Sequence, residues 1–320
     1  MADPKASIII RCYNEADHIG KLLHGVFQQT MEDFEVLVVD SGSTDGTLDI
    51  IEQYPVDEVV YIDPADFSFG AALNEGCREA SGTFCVFASA HVYPRRHDWL
   101  ERLLEKFEED ESLALVYGKQ RGNGESKFSE RQVFKRWFPN EDIDRQQSPF
   151  CNNANAAIRR ELWTEYPYDE ELTGLEDLDW AKRVQADGYE ISYSSEAEIV
   201  HVHDETPREV YNRYRREALA HKRIMPEQEF TLGDFVKTFA TNLVMDYWQA
   251  AKRGELRENV GSIPMFRFLQ FFGTYRGFAL DDSVSDQLRR RFYYPNQDEL
   301  PERAQPEEDG RYIDYSELSD

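Results

Sequence analysis

Runs of β-branched and aliphatic residues that stop at polar clusters recur along the first half of this chain, and segments with apolar residues at helical spacing lie between them. Ser7–Asn14 reads SIIIRCYN, and Glu35–Gly46 begins EVLVVD before passing into Ser41, Gly42, Ser43, Thr44, Asp45 and Gly46. Continuous apolar runs with turn chemistry at their carboxyl ends are the pattern of strands buried on both faces of a parallel sheet. Between them, Glu15–Gln29 places Ile19, Leu22, Leu23, Val26 and Phe27 on one helical face. The alternation continues with a helix over Thr47–Tyr54, a short strand at Glu58–Ile62, a helix over Phe69–Ala80 and a strand at Thr83–Ser89. A helix over Asp98–Glu109 and a strand at Ala114–Tyr117 follow. This order predicts an α/β fold with a mostly parallel, doubly wound sheet flanked by helices. Lys119–Ser148, with an aromatic patch at Phe134–Phe138, is expected as a long irregular piece covering a site.

From Arg208 the character changes. Residues 208–291 carry 15 Lys or Arg against 11 Asp or Glu, in a chain whose net charge is -26. The chain therefore divides into 1–207, a helical extension over 208–294 and an acidic tail over 295–320. The extension holds Phe235, Phe239, Leu243, Tyr247 and Trp248, then Lys252 and Arg253, then the aromatic run Met265–Phe272. Helices with aromatic and basic faces suit a membrane interface, and the same pattern suits a homo-oligomer contact. No stretch reaches the length of unbroken apolar sequence that spans a bilayer. With no secretory leader pattern after Met1, the expected place is the cytoplasm, including the periphery of the inner membrane face.

The acidic excess repels nucleic acid and excludes polynucleotide binding as the main role. Its size resembles proteins of salt-loving organisms, whose cytosol screens self-repulsion. Cys12, Cys77, Cys85 and Cys151 show no CxxC spacing and are expected as buried free thiols.

Ligands in open α/β sheets bind beyond the carboxyl ends of the strands. Asp40 and Ser43 lie there, either as a helix cap or as acceptors for a nucleotide. His91 ends the strand Phe84–Ser89 on the same edge and could ligate a divalent metal, although one ligand makes no site. Glu176 and Asp177 open a helix that runs to Gly188. Capping explains them, and a general base explains them equally. His201 and His203 share a face of an extended segment after the strand Glu190–Tyr193 and the run Ile199–Val200, which is a metal signal or an interaction surface. Asn152, Asn153 and Asn155 offer paired donors and acceptors suited to sugar hydroxyls, or build a turn.

The set Tyr13-Asn14-Glu15, Val38–Thr47, Ala72–Gly76, Gly174-Leu175-Glu176-Asp177 and His201 resembles glycosyltransferase family 2, with its GT-A fold, over roughly Ala6 to Arg223. The resemblance implies inverting transfer of a sugar from a nucleotide diphosphate donor, UDP, GDP or dTDP, with Mg or Mn on the diphosphate. It makes 1–207 the nucleotide-sugar-binding and catalytic domain. The implied nucleotide-binding residues are Arg11, Tyr13, Asn14, Glu15, Asp40, Ser43, Asn74, Ser89 and Ala90. Asp177 would be the base and Glu176 would orient the acceptor, a glycan or lipid-linked glycan. Asn152, Asn153, Asn155 and Trp180 would contact sugar, and Trp137-Phe138-Pro139 would offer an acceptor platform.

The sequence departs from the family at one central point. Where members carry Asp-x-Asp, it reads Ser89-Ala90-His91. His91 would replace the metal-binding aspartate, with His201 as second ligand and His203 as a third candidate. Without metal, Arg121 or Lys119 would have to neutralise the departing diphosphate. Two other readings stand beside this one: a catalytically silent sugar-nucleotide or glycan-binding protein, and a sugar-nucleotide nucleotidyltransferase. The second lacks the glycine-rich, lysine-bearing phosphate loop it needs near the amino terminus.

Overall fold

The computed structural model describes residues 3–280 and Tyr315. The end of the expected extension, 281–294, and all of the acidic tail except Tyr315 lie outside the described residues. The chain order begins β1 (Ala6–Cys12), α1 (Ile19–Val26), β2 (Phe34–Asp40), α2 (Thr47–Ile51), β3 (Glu58–Tyr61), α3 (Phe69–Glu79) and β4 (Phe84–Ser89). It continues with β5 (Val92–Pro94), α4 (Trp99–Glu109), β6 (Leu113–Arg121), α5 (Phe128–Trp137), β7 (Asn155–Arg159), α6 (Arg160–Glu165), α7 (Glu176–Ala186) and β8 (Glu190–His201). The helices α8 (Pro207–Ile224), α9 (Leu232–Arg253), α10 (Leu256–Asn259) and α11 (Ser262–Phe278) close it.

One eight-stranded sheet runs β3-β2-β1-β4-β7-β6-β8-β5. Strand β7 runs against β4 and β6, and β5 against β8; the remaining pairings are parallel. Every residue of β4 is buried, as its unbroken apolar run requires. Two apolar clusters fill the two faces of the sheet. One gathers Ile8, Ile10, Val38 and Val86 beneath α1 and α4, and the other Ile9, Val39, Phe87 and Tyr193 beneath α3 and α7. Alternate residues of one strand point to opposite faces, which is why Ile8 and Ile9 belong to different clusters.

Three expectations change. The helix predicted from Glu15 begins at Ile19, because Asn14 to His18 form the turn that reaches across to β2. The segment 119–148 is not irregular throughout: β6 extends to Arg121 and α5 occupies Phe128–Trp137. Glu190–Tyr193 and Ile199–Val200 are one twelve-residue strand, bent by irregular register against β6.

Helices α8 and α11 are in close backbone contact. A Cβ on Gly273 would come within 2.7 Å of the Tyr211 carbonyl, and one on Gly277 within 2.5 Å of the Ala218 Cβ. A buried network ties the extension to the body. Arg267 of α11 donates to Asp246 of α9 at 2.7 and 3.0 Å, and Ser129 of α5 donates to the same carboxylate at 2.6 Å.

Candidate active site

The carboxyl ends of β1, β2 and β4 meet at Cys12, Asp40 and Ser89, and the loops above them interlock. Asn14 adopts a left-handed backbone with φ 51. Its N–H donates to Ser43 Oγ at 2.9 Å, and its side-chain oxygen accepts from the Thr44 N–H at 2.7 Å. Asp40 is 1 % exposed and accepts from the Gly42 and Ser43 N–H groups at 3.0 Å each, and from the Ser43 hydroxyl. Asp40 and Ser43 thus build the turn that follows β2, and neither caps α2, whose N-cap is Gly46. Tyr13 is half-buried beside them. Ser89 and Ala90 are buried at the end of β4, where the Ala90 N–H donates to the Arg11 carbonyl at 3.3 Å.

Glu15 is aimed at a histidine. Its carboxylate lies 2.7 Å from His91 Nδ1, and its N–H donates to Thr47 Oγ1. The pairing of β5 with β8 opposes Val92 to His201, and the Val202 N–H donates to the His91 carbonyl at 3.0 Å. This antiparallel contact unites the histidines. Ring centroids lie 5.1 Å apart for His91 and His201, 4.1 Å for His201 and His203, and 5.9 Å for His91 and His203. Candidate ligand atoms of all three lie within 4.8 Å of one another. His201 Nε2 is buried with no hydrogen-bond partner. A buried ring nitrogen left without a donor, among two more imidazoles, fits a divalent cation. Burial pushes the His201 and His203 pKa values well below the ordinary range, and the neighbouring His91 and Arg213 push the same way. Burial also opposes charge on His91, but the Glu15 carboxylate outweighs it and the net shift is upward.

Across the pocket, Leu175 takes a left-handed backbone, φ 56, immediately before α7. A branched residue there is strained, and the Leu172, Ala220 and Ile224 cluster against which its side chain packs helps hold it. The turn delivers Glu176 and Asp177 to the helix N-terminus. Glu176 pairs with Arg11 Nη1 at 3.1 Å, and Arg11 lies over the Phe69 ring, its Cζ 4.9 Å from the centroid. Asp177 is 7 % exposed and accepts from the Asn153 N–H at 3.2 Å and the Leu178 N–H at 2.7 Å. Burial first, then the adjacent Glu176 charge, raises its pKa to about 7. Arg11 lowers both the Asp177 and the His91 pKa, so one cation acts on both halves of the site.

The asparagines divide by role. Asn152 Oδ1 accepts the Ala154 N–H and builds a turn, and Asn153 serves Asp177 through its main chain. Asn155 is 0 % exposed; it accepts from Trp99 Nε1 and donates to the Lys119 and Ala197 carbonyls, so it has no sugar-contacting role. Two further expectations fail in the same way. Asn74 is spent on Trp163, on the Tyr168 main chain and on Glu170. Trp180 is fully buried, its indole donating to the Tyr166 carbonyl. Lys119 and Arg121 both pair with Glu198, at 3.1 and 2.8 Å. Trp137 is 48 % exposed and stacks on Phe150, while Phe138 is core.

Sequence reasoning missed the residues that α5 and α8 bring in. Glu130 lies 2.7 Å from His203 Nδ1 and accepts from Arg213, which also donates to Glu205. Arg216 lies over the Phe69 ring, its Cζ 4.7 Å from the centroid. The basic residues of α8 are the signal the sequence carries for these contacts.

Comparison with known proteins agrees with this architecture. Residues 7–166 match the model for glycosyl transferase family 2. The O-antigen chain rhamnosyltransferase WbaN of Salmonella anatum is 27% identical over 223 residues, 66% of this chain and 70% of that protein. Glycosyltransferase AglE of Haloferax volcanii is 30% identical over 201 residues, 60% of this chain and 64% of its own length. Among solved structures, the mannosyltransferase PcManGT from Pyrobaculum calidifontis, in complex with GDP-Man and Mn2+, superposes with a TM-score of 0.57 at 18% identity, covering 93% of this chain and 89% of that one. S. aureus TarS 1-349 in complex with UDP gives 0.54 at 20% identity, with 92% and 94% covered. The chain belongs to glycosyl transferase family 2, and it is an enzyme of the GT-A fold that transfers a sugar from a nucleotide sugar.

Proposed function

We propose that Asp177 is the general base of an inverting transfer, with the donor diphosphate over the carboxyl ends of β1, β2 and β4. The observation that carries this reading is a buried carboxylate at a helix N-terminus with a pKa raised to about 7, matched to taking a proton near neutral pH. Asp177 takes the acceptor hydroxyl proton as that oxygen attacks the anomeric carbon from the face opposite the departing nucleoside diphosphate. Glu176, fixed by Arg11, orients the acceptor. The Asn153 N–H fixes one Asp177 oxygen and the Leu178 N–H the other. His91, His201 and His203 would hold a divalent cation, whose chemistry is to neutralise charge on the leaving diphosphate. Among the described residues no other triad of imidazoles exists.

The acceptor in this reading is a lipid-linked glycan, supported by the free face of α9. Leu232, Val236, Val244, Met245 and Trp248 are each more than half exposed there, and Met265 and Phe268 of α11 add to the patch. The exposed charges of α9 are Lys237, Lys252 and Arg253; Asp234 caps the helix and Asp246 is buried against Arg267. An apolar helix face with Lys237, Lys252 and Arg253 exposed beside it, on a chain of net charge -26, suits an anionic bilayer surface. No described helix is long and apolar enough to cross a membrane.

The deciding experiment is transfer and hydrolysis of UDP-, GDP- and dTDP-sugars in high salt by the parent and Asp177→Asn. One donor class turned over by the parent, with at least a hundredfold loss in the variant and nucleotide binding retained, supports the reading. Turnover at the parent's rate in Asp177→Asn removes Asp177 as the base.

A further inference from the structure

The histidine cluster has a more specific chemistry than a generic divalent site. Each ring turns its Nδ1 toward an oxygen: His91 toward Glu15 Oε1, His201 toward Gln120 Oε1 and His203 toward Glu130 Oε1, all at 2.7 Å. Carboxylate and amide oxygens only accept, so each neutral ring carries its proton on Nδ1 and keeps the Nε2 lone pair. Ring nitrogens of the three histidines lie within 4.8 Å of one another, and His201 Nε2 is buried and unpartnered. The oxygens sit one shell out, in the arrangement that fixes ring orientation and raises ligand basicity in metal-ligating histidines. The position where the family carries aspartate is nitrogen here, and the carboxylates of Glu15 and Glu130 stand behind the rings.

We propose that His91, His201 and His203 form a trisimidazole centre for a first-row transition ion of the Zn2+, Co2+ or Ni2+ class, in place of Mg2+. Mg2+ demands oxygen ligands and octahedral geometry, whereas neutral imidazole favours Ni2+ and Zn2+, with Mn2+ weakest of the series. The neighbouring grouping of Glu130, His203 and Glu205 is not a second site, because Arg213 already places its charge between the two carboxylates at 2.7 and 2.6 Å. The proposal takes its place in the reaction from the donor-site reading above, but its test does not need turnover.

The full chain, without an added histidine tag and stripped by chelator, is titrated with Co2+ and followed by visible d–d absorption. The expected result is one Co2+ per chain with the intense bands of nitrogen ligation at low coordination number. Zn2+ should displace it at one equivalent, and Mg2+ should fail to do so at a thousandfold excess. His91→Ala, at the most exposed of the three positions, should abolish the bands. Glu15→Gln keeps all three rings and an oxygen for Nδ1, and should weaken Zn2+ binding about 10- to 100-fold, the usual cost of altering an outer-shell partner. Weak octahedral aqua-type bands, or displacement by Mg2+ at equal concentration, would overturn the proposal. Nucleotide binding by the metal-free protein is measured in parallel. A Co2+ centre without binding of UDP, GDP or dTDP would remove the donor-site reading and leave the centre standing, and the reverse result would do the opposite.

Discussion

Asp177 couples the chemistry of this protein to its stability, and Asp177→Asn measures the coupling. A carboxylic acid shifted from 3.8 to about 7 on folding is held protonated by the native state over that interval. The folded pKa lies above the unfolded one, so the native state is favoured below pH 3.8 and loses that advantage as pH rises through about 7. A shift of about three units corresponds to at most about 4 kcal/mol. Asparagine does not titrate, so the stability of the variant minus that of the parent should rise with pH, by up to about 1.4 kcal/mol per unit between pH 4 and 7 and level above it. Replacing one carboxylate oxygen by NH2 also sets a donor against the Asn153 or Leu178 N–H, a pH-independent cost. The slope of the difference, not its absolute value, is therefore the reading. Urea unfolding of both proteins from pH 4 to 8.5, at fixed high salt, supplies it. A difference that stays flat across this range would refute the burial argument and with it the match of Asp177 to a neutral-pH base.

The same electrostatics predict the acid limb of kcat/KM. Glu176→Gln removes the second-ranked cause of the Asp177 shift and should move the limb to lower pH, while Arg11→Gln should move it to higher pH, both read in pH–rate profiles. Asn155→Ala should destabilise by about 2–4 kcal/mol by orphaning the Trp99 indole and two carbonyls, with donor and acceptor KM unchanged in the folded fraction; a selective rise in KM would restore it as a sugar contact. A Val244→Glu, Trp248→Glu double variant should lose sedimentation with phosphatidylglycerol vesicles at moderate salt while keeping transfer to a soluble acceptor. If the parent ignores vesicles and instead dimerises through this face, the membrane reading fails. Molar KCl should raise the melting temperature, because a net charge of -26 repels itself until screened; no change would place the acidic residues in compensated pairs.

Apart from the short β5, the order of strands and helices through β6 is legible in the sequence because each element is local. Ile8 to Ile10 or Val36 to Val39 are apolar on consecutive positions, and only a strand covered on both faces satisfies that pattern. The Asp177 carboxylate is legible for the same reason, since its place in the first turn of α7 follows from helix spacing. The sequence also determined that Ser89-Ala90-His91 stands in place of an acidic triplet. The partners of these residues were decided by tertiary structure alone. Glu15 and His91 are 76 residues apart and Arg11 and Glu176 are 165 apart, and no local period relates them. Asn74 and Trp180 stand among the site residues that the family resemblance implies, and Asn155 stands there because its amide suits sugar hydroxyls. In the fold they fill the core, because a buried amide or indole needs partners and those partners come from distant loops. Nothing local in the sequence joins Glu130 to His203 and Arg213, 73 and 83 residues away, and only the fold brings them together. Side-chain chemistry along one strand or helix is fixed by its own neighbours, whereas pairing, burial and pKa depend on which elements the sheet brings together.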